Sequence, residues 1–415
     1  MNIAMLSYHT CPLATLGGKQ TGGMNVYVQE LTRHLGSLGI HVDVFTRSQD
    51  EHVPHVLHDL GYGNRVVHIP AGPESPTPKK DLPLYVPEFA EGILKFSESK
   101  GIQYDLIHSH YWMSGVSAEI LKNRWDIPVI QMFHTLGVMK NRIARSESEK
   151  ESPFRIESEK RIVAIANRIV IATPAEKEQL ISNYEADEKT LVIIPPGVDT
   201  TRFYPIPEDE ARAVIGVPSG NCMILFVGRI EPLKGIETLL RAIALLLQTE
   251  EIEECNYYLA IIGGEPDGNG NDMNSEMTRL QKLSRELGIH DTVIFLGKRS
   301  QETLPYYYSA AQVVVVPSLY ESFGMVALEA MACGVPVIAS QVGGLPYLVQ
   351  DGKTGYVIPD GNPEILKQRL MQLIEAPALR DEMCGQAVDY ARSYDWSLIA
   401  KKVSDLYVTV LAKSQ

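Results

Sequence analysis

The chain has 415 residues, 45% of them hydrophobic and 21% charged, an ordinary globular composition with room for two domains rather than one small core. Its formal net charge of −13 excludes a nucleic-acid binder that works by neutralising phosphates along a basic surface, so an anionic ligand must be held by a local cluster of cations. No run of 18 apolar residues occurs, so no transmembrane segment is expected.

In chain order, the opening MNIAMLSYH reads as a first strand rather than a leader, with no basic n-region or cleavage site. HVDVFT, RVVHIP, LIHSH, PVIQMF, RIVIAT and LVIIPPG follow as further strands of a first half, with longer helical stretches between them. CMILFVGR, YYLAIIGG, TVIFLGK, VVVVPS and PVIAS repeat the pattern in a second half. Nearly continuous apolar strands separated by helices imply parallel sheets covered on both faces. The stretch PPGVDTTRFYPIPEDEARAVIGVPSGN, rich in Pro, Gly and acid, reads as the linker. The division expected is 1–200, 201–390 and a terminal helix, 391–415, that could cap either domain. Open α/β sheets bind ligands beyond the carboxyl ends of their strands, so two facing sheets imply a ligand cleft. The five cysteines, Cys11, Cys222, Cys255, Cys333 and Cys384, are odd in number and lack metal-site spacing. They read as free thiols of a cytoplasmic protein.

GGKQTGGMNVYVQEL (17–31) follows the first strand and opens a helix near Met24. It is neither the dinucleotide fingerprint nor a P-loop. Its glycines make either a tight turn or a backbone cradle for an anion at a helix N-terminus. FVGRIEPLKG (226–235) places Arg229 and Lys234 after a strand, a fork and a point charge suited to a diphosphate, or two solvated surface cations. In ESFGMVALEAMACG, a helix starting around Ser322–Gly324 puts Glu321 at its mouth and Glu329 two turns inside, about 12 Å along the axis. Such a pair suits the hydroxyls at the two ends of a nucleotide sugar, with the N–H groups of Ser322, Phe323 and Gly324 toward the phosphates. The bland alternative is one N-terminal acid plus one buried glutamate paired with a lysine. His110, Tyr111, Trp112, His134 and Thr135 stand at strand ends, where packing is the default reading. Lys79, Lys80, Arg155 and Lys160 read as solvated charge.

Together, the Glu321/Glu329 pair, the GR-x4-KG loop and GGMN resemble the GT-B glycosyltransferases of family 4, retaining enzymes with two doubly wound Rossmann-like domains facing across a cleft. The resemblance spans nearly the whole chain, through PPGVDTTRFYP, GLPYLVQDGKTGYVIP and YDWSLIAKKV. Within the family, SYHTCPL, TGGMNVYV, KKDLP, YDLIHSHYWMSG and HTLGVMKN are most similar to the D-inositol-3-phosphate glycosyltransferases, which begin mycothiol synthesis from UDP-N-acetylglucosamine. The sucrose-phosphate synthases are relatives on the same scaffold, using UDP-glucose and fructose 6-phosphate.

The resemblance implies that Arg229 and Lys234, with the backbone of Gly23, stabilise the UDP leaving group. Glu329 would hold the ribose, Glu321 the donor sugar, and Arg299 would lie near the uracil. Lys79, Tyr111, Thr135 and Arg155 would grip an acceptor phosphate, with His9 and Asn25 near the inositol ring. His134 would orient the donor rather than act as a base. No Asp-x-Asp motif is placed to bind a metal–diphosphate, so no metal or other cofactor is expected beyond the UDP-sugar co-substrate, and the subgroup is compatible with a homodimer. Rival readings are a UDP-sugar epimerase, a phosphorylase carrying pyridoxal phosphate, or a non-catalytic sugar-nucleotide binder.

Overall fold

The computed structural model describes residues 1–14, 22–144, 146–218, 220–249, 256–264 and 275–413. Residues 17–21 of the glycine-rich loop, Cys255 and most of the stretch 263–277 lie outside them. The described residues form two compact units. One comprises the chain up to Pro196 together with the segment from Trp396 onward; the other runs from Gly197 to Asp395.

The first unit is built on strands β1 (Asn2–Leu6), β2 (His41–Arg47), β3 (Val56–Leu57), β4 (Arg65–Ile69), β5 (Leu106–His110), β6 (Val129–Met132), β7 (Arg168–Ile171) and β8 (Leu191–Ile193). They lie in the order β3-β4-β2-β1-β5-β6-β7-β8. Every pairing is parallel except that of β3 with β4. Two-residue β3, at the edge, lacks the apolar run that marks the other strands and has no sequence signature. Helices α1 (Gly23–Ser37), α2 (Val86–Lys100), α3 (Trp112–Trp125), α4 (Gly137–Ile143), α5 (Pro153–Ile165) and α6 (Pro174–Tyr184) connect them.

Local chemistry accounts for these helices. In α2, Val86, Phe89, Ala90, Ile93, Leu94 and Ser97 are buried, the i, i+3, i+4 stripe of a helix laid on a sheet. The chain leaves it through Gly101 at φ 62°, the left-handed exit that glycine permits. Helices α5 and α6 open on Ser152 and Thr173, whose side chains accept from the N–H groups of Arg155 and Glu176. The C-terminal helix, Trp396–Ala412, packs on this same unit. Trp396 meets Tyr27 of α1 edge-on at 5.3 Å, and the Tyr407 hydroxyl bonds His108 Nδ1 at 2.7 Å.

The second unit is built on strands β9 (Asn221–Val227), β10 (Asn256–Ile262), β11 (Val293–Gly297), β12 (Val313–Val316), β13 (Val337–Ser340) and β14 (Gly355–Ile358). The order is β11-β10-β9-β12-β13-β14, parallel throughout. Strand β14, GYVI, opens on a glycine, which interrupts the apolar run that would announce it. The helices are α7 (Glu208–Ile215), α8 (Ile236–Leu247), α9 (Ser275–Glu286), α10 (Leu304–Ala310), α11 (Met325–Ala332), α12 (Leu345–Leu348), α13 (Pro363–Glu375) and α14 (Pro377–Ala391).

The segment read as a linker belongs to this second unit. Phe203 is buried against Tyr308 with ring centroids 6.0 Å apart, Ala211 of α7 is buried, and Arg212 donates to the Asn221 carbonyl at 2.7 Å. Val198 N–H donates to the Tyr394 carbonyl at 2.9 Å and Thr200 bonds Asp395. These bonds tie both ends of the unit together and set its limits at Gly197 and Asp395 rather than at 201 and 390.

In both sheets the strand order reverses in the middle, between β1 and β5 and between β9 and β12. In doubly wound sheets the connections diverge at that point and leave a crevice beyond the strand ends. In the second unit the two loops bounding it are clamped together. Leu319 N–H donates to the Leu233 carbonyl at 2.8 Å, and Gly235 sits at φ 65° where a Cβ would lie 1.9 Å from the Pro317 carbonyl oxygen. Backbone cannot yield there, and the positive φ adds its own strain. Gly235→Ala is therefore expected to destabilise the protein by at least about 1–3 kcal/mol, measured as a lower urea midpoint.

Candidate functional site

In the first unit, the residues at the β1/β5 crevice come from four separate segments. His9 follows β1, Tyr111 follows β5, Thr135 follows β6, and Arg155 lies in the first turn of α5. Arg155 is completely buried although its sequence context reads as solvated. Its Nε donates to Glu159 at 2.8 Å, one terminal nitrogen to the Tyr111 hydroxyl at 3.0 Å and to Glu151 at 2.8 Å, and the other to the Thr135 carbonyl at 2.8 Å. Glu159 is itself saturated by Gly137 N–H and the Tyr184 hydroxyl. Burial opposes a charge on Arg155, but Tyr111, Glu159 and Glu151 outweigh it and hold the guanidinium firmly protonated.

Lys79 and Lys140 complete the cluster. Their ammonium groups approach Glu151 Oε1 at 3.3 and 3.2 Å, and Lys79 lies 5.5 Å from the centre of the Tyr111 ring. The loop leading to Lys79 is held from beneath by buried Arg47, which donates to the carbonyls of Ala71, Pro73 and Ser75 and to the Thr77 hydroxyl. His9 packs at a tilt on Tyr111, ring centroids 4.5 Å apart. The structure thus brings together Lys79, Tyr111, Thr135, Arg155 and His9. It leaves Lys80 and Lys160 exposed. Asn25 spends its amide internally, donating to Thr10 Oγ1 and the Cys11 carbonyl at 2.7 Å each and accepting from Gly22 N–H at 2.9 Å. It pins the loop after β1 to the start of α1, whose first residue is Gly23.

His134, itself partly buried, packs against a buried aromatic group. Its Nε2 lies 3.0 Å from His110 Nδ1, and its ring packs edge-on against Tyr27 at 5.2 Å. Tyr111 (φ 74°) and His134 (φ 59°) both take the positive φ that side chains avoid, strain of the kind that collects at functional sites. Burial pulls the His134 imidazole down to about 3, so it is neutral. A general base works best near the operating pH; this one is too weakly basic.

In the second unit, the loops after adjacent strands β9 and β12 bring Lys234 and Glu321 together at 2.5 Å, each about one-fifth exposed. The lysine partner envisaged for a buried glutamate is thus real but serves Glu321. Helix α11 begins at Met325, later than the sequence suggested, because Gly324 takes φ 107°. Glu329 is therefore about one turn inside, and helical rise does not measure its separation from Glu321. The helix has no side-chain N-cap, so its first N–H groups suit an anion. The loop is braced from behind by Gly344, whose N–H donates to the Glu321 carbonyl at 2.9 Å. Phe323 is buried, leaving its backbone rather than its ring for a ligand. Arg229, two-fifths exposed, pairs with Glu231 at 2.9 Å. Arg299 donates to the Tyr307 hydroxyl at 2.8 Å.

Glu329 is buried and accepts from the Tyr308 hydroxyl at 2.8 Å. Burial raises its carboxyl to about 7, against the lowering effects of Tyr308 and Arg202. A raised folded-state value stabilises the fold fully below about 4.5, and that contribution is lost as pH rises through about 7. Glu329→Gln lacks the titration, so its stability relative to the parent should improve by up to roughly 3 kcal/mol between pH 4.5 and 7.5, checked by urea unfolding of both proteins across that range.

Sequence reasoning missed Glu151, Glu159, Lys140, Tyr184 and Tyr308. The ESPFRIESE spacing, acids four residues either side of Arg155, was the available signal for the first two. Tyr308 and Tyr184 come from distant elements and leave none.

Two doubly wound sheets, one with a cation cluster and one with a Lys–Glu pair at the switch point, define a GT-B glycosyltransferase. Comparison with known proteins agrees. Residues 21–202 match the model described as Glycosyltransferase Family 4, and residues 207–393 that of Glycosyl transferases group 1. D-inositol 3-phosphate glycosyltransferase 2 of Catenulispora acidiphila is 40% identical, over 98% of this chain and 94% of its own. A D-inositol 3-phosphate glycosyltransferase of Actinosynnema mirum is 38% identical over 98% and 96%. Sucrose-phosphate synthase of Thermosynechococcus elongatus superposes with a TM-score of 0.90 at 34% identity, over 99% of both chains. Anabaena HepE, solved with UDP, shares the fold at a TM-score of 0.74 and 18% identity, over 99% and 100%. The chain belongs to glycosyltransferase family 4 and is an enzyme of that class. No helix among the described residues is long and apolar enough to cross a membrane.

Proposed function

We propose that this glycosyltransferase moves N-acetylglucosamine, with retention of configuration, from UDP-N-acetylglucosamine to a phosphorylated polyol of the inositol 3-phosphate type. The observation that carries the acceptor half is the convergence of Lys79, Lys140 and Arg155 on a single oxygen position. Three cations around one point match a phosphate monoester, and two relatives similar over almost their whole length are named for an inositol 3-phosphate.

The donor half is assigned to Lys234, Arg229, Glu321, Glu329, Arg299 and the N-terminus of α11. As UDP departs, negative charge grows on the diphosphate. Lys234, Arg229 and the N–H groups of the uncapped α11 N-terminus are the groups that would stabilise it, the two cations leaving Glu321 and Glu231 for the diphosphate. Glu321 accepts from sugar hydroxyls, and Glu329 holds the ribose. His134, neutral and strained, orients the sugar, so the acceptor's proton passes to the leaving phosphate rather than to a base. With this charge supplied by side chains, turnover needs no metal.

A second reading, glucose transfer to fructose 6-phosphate, is favoured by the likeness to sucrose-phosphate synthase. The deciding experiment crosses UDP-N-acetylglucosamine and UDP-glucose with inositol 3-phosphate, fructose 6-phosphate and no acceptor, following UDP release with and without chelator. Release confined to N-acetylglucosamine with inositol phosphate, unchanged by chelation and giving an α-linked product, is the expected result. Release with glucose and fructose 6-phosphate establishes the second reading. Sugar turnover without acceptor points to an epimerase, and silence throughout overturns transfer to either acceptor.

A further inference from the structure

The carboxylate at the centre of the cation cluster has no place in the reading above. Glu151 Oε1 lies 2.8 Å from Arg155, 3.2 Å from Lys140 and 3.3 Å from Lys79. One oxygen receiving three cationic donors is the environment that a phosphate oxygen requires. We infer that Glu151 is an internal occupant of the phosphate subsite, which the acceptor must displace, and so sets the enzyme's selectivity for a doubly charged phosphate. This rests on the acceptor assignment made above.

The two acids of the cluster differ in kind. Glu159 is completely buried and bound to Arg155, Gly137 N–H and the Tyr184 hydroxyl, so it is fixed scaffold. Glu151 is one-fifth exposed, and two of its three side-chain partners, Lys79 and Lys140, are partly exposed lysines, while only Arg155 is fixed. Its backbone, in contrast, is anchored. Glu151 N–H donates to Asn141 Oδ1 at 2.7 Å, and Asn141 Nδ2 donates to the Glu151 carbonyl at 3.4 Å. The side chain can therefore swing while residue 151 stays in place.

Charge bookkeeping gives the consequence. Lys79, Lys140 and Arg155 against Glu151 and Glu159 leave a net charge of +1. With Glu151 turned out of the cluster, the three cations face Glu159 alone, and the remaining +2 matches a phosphate dianion. A neutral polyol or a monoanion offers too little to replace the carboxylate, so it is refused; a dianion repays the exchange. Burial would raise the Glu151 carboxyl, yet Arg155, Lys79 and Lys140 draw it down to about 2, so it stays charged over the working pH range and competes throughout.

The test is Glu151→Gln, which keeps shape and removes charge. Calorimetric titration of the parent and variant with inorganic phosphate and with neutral myo-inositol needs no turnover. The expected result is phosphate binding tighter in the variant by about tenfold or more, a weaker salt dependence for the parent, and a lower acceptor KM with kcat unimproved. Equal or weaker phosphate binding in the variant overturns the inference, because Glu151 would then be a buttress that positions the cations. No phosphate binding by either protein overturns it as well. Should transfer to inositol phosphate fail while phosphate binding still tightens in the variant, the acceptor assignment falls and the displaced carboxylate stands. The reverse pattern separates them the other way.

Discussion

Arg155→Met is expected to cost the folded protein about 3–5 kcal/mol and to abolish transfer. The side chain is completely buried, and its three nitrogens serve Glu159, Glu151, Tyr111 and Thr135. Taking away the cation strands Glu159, also completely buried, with only the Gly137 N–H and the Tyr184 hydroxyl. An uncompensated buried charge is what makes breaking such a pair so damaging. Arg155→Lys separates the structural from the functional part. A lysine restores the charge but not the planar fork that reaches four partners from one place. Its urea midpoint should fall between those of the parent and Arg155→Met, while acceptor KM rises by about 10²-fold or more. A methionine variant with the parent's midpoint would show that the buried pair contributes nothing.

Lys234→Ala should behave in the opposite way, with a near-normal midpoint and kcat lower by about 10²–10³. The Lys234–Glu321 pair is about one-fifth exposed on both sides, so its loss costs stability little more than a surface pair does, about 1 kcal/mol at most. In the proposed reaction the same ammonium would stabilise the departing diphosphate, where preorganised charge has its greatest effect. Donor KM should change far less than kcat. A kcat close to the parent's would remove Lys234 from the reaction and leave it as the counter-ion of Glu321.

Much of this was legible in the sequence, for identifiable reasons. Short continuous apolar runs rich in β-branched residues, such as VVVV, or bounded by turn residues, such as CMILFV, read as strands buried on both faces, and the parallel sheets follow. Site residues in the loops that follow strands, including Lys234, Glu321, Tyr111 and Thr135, inherit their position from the strand. What stayed hidden depends on tertiary contact. Arg155 lies on a helix whose neighbours are charged, and nothing local says that its side chain turns into the protein. The partner of Glu329 is Tyr308, twenty-one residues away on another helix. The start of α11 was misplaced because SFG can extend a helix by composition, whereas Gly324 takes a positive φ and ends the possibility. The supposed linker failed for the converse reason: Pro and acid suggested solvent, but Phe203 and Ala211 are core.

The most direct test of the acceptor site compares inositol 3-phosphate with myo-inositol as acceptors for the same donor, as a ratio of kcat/KM. If Lys79, Lys140 and Arg155 read a phosphate, the phosphorylated acceptor should be preferred by about 10³-fold or more, since myo-inositol forgoes every charge-assisted contact that the phosphate makes. Comparable values for the two would contradict a phosphate-reading cluster and leave those three cations as structure alone.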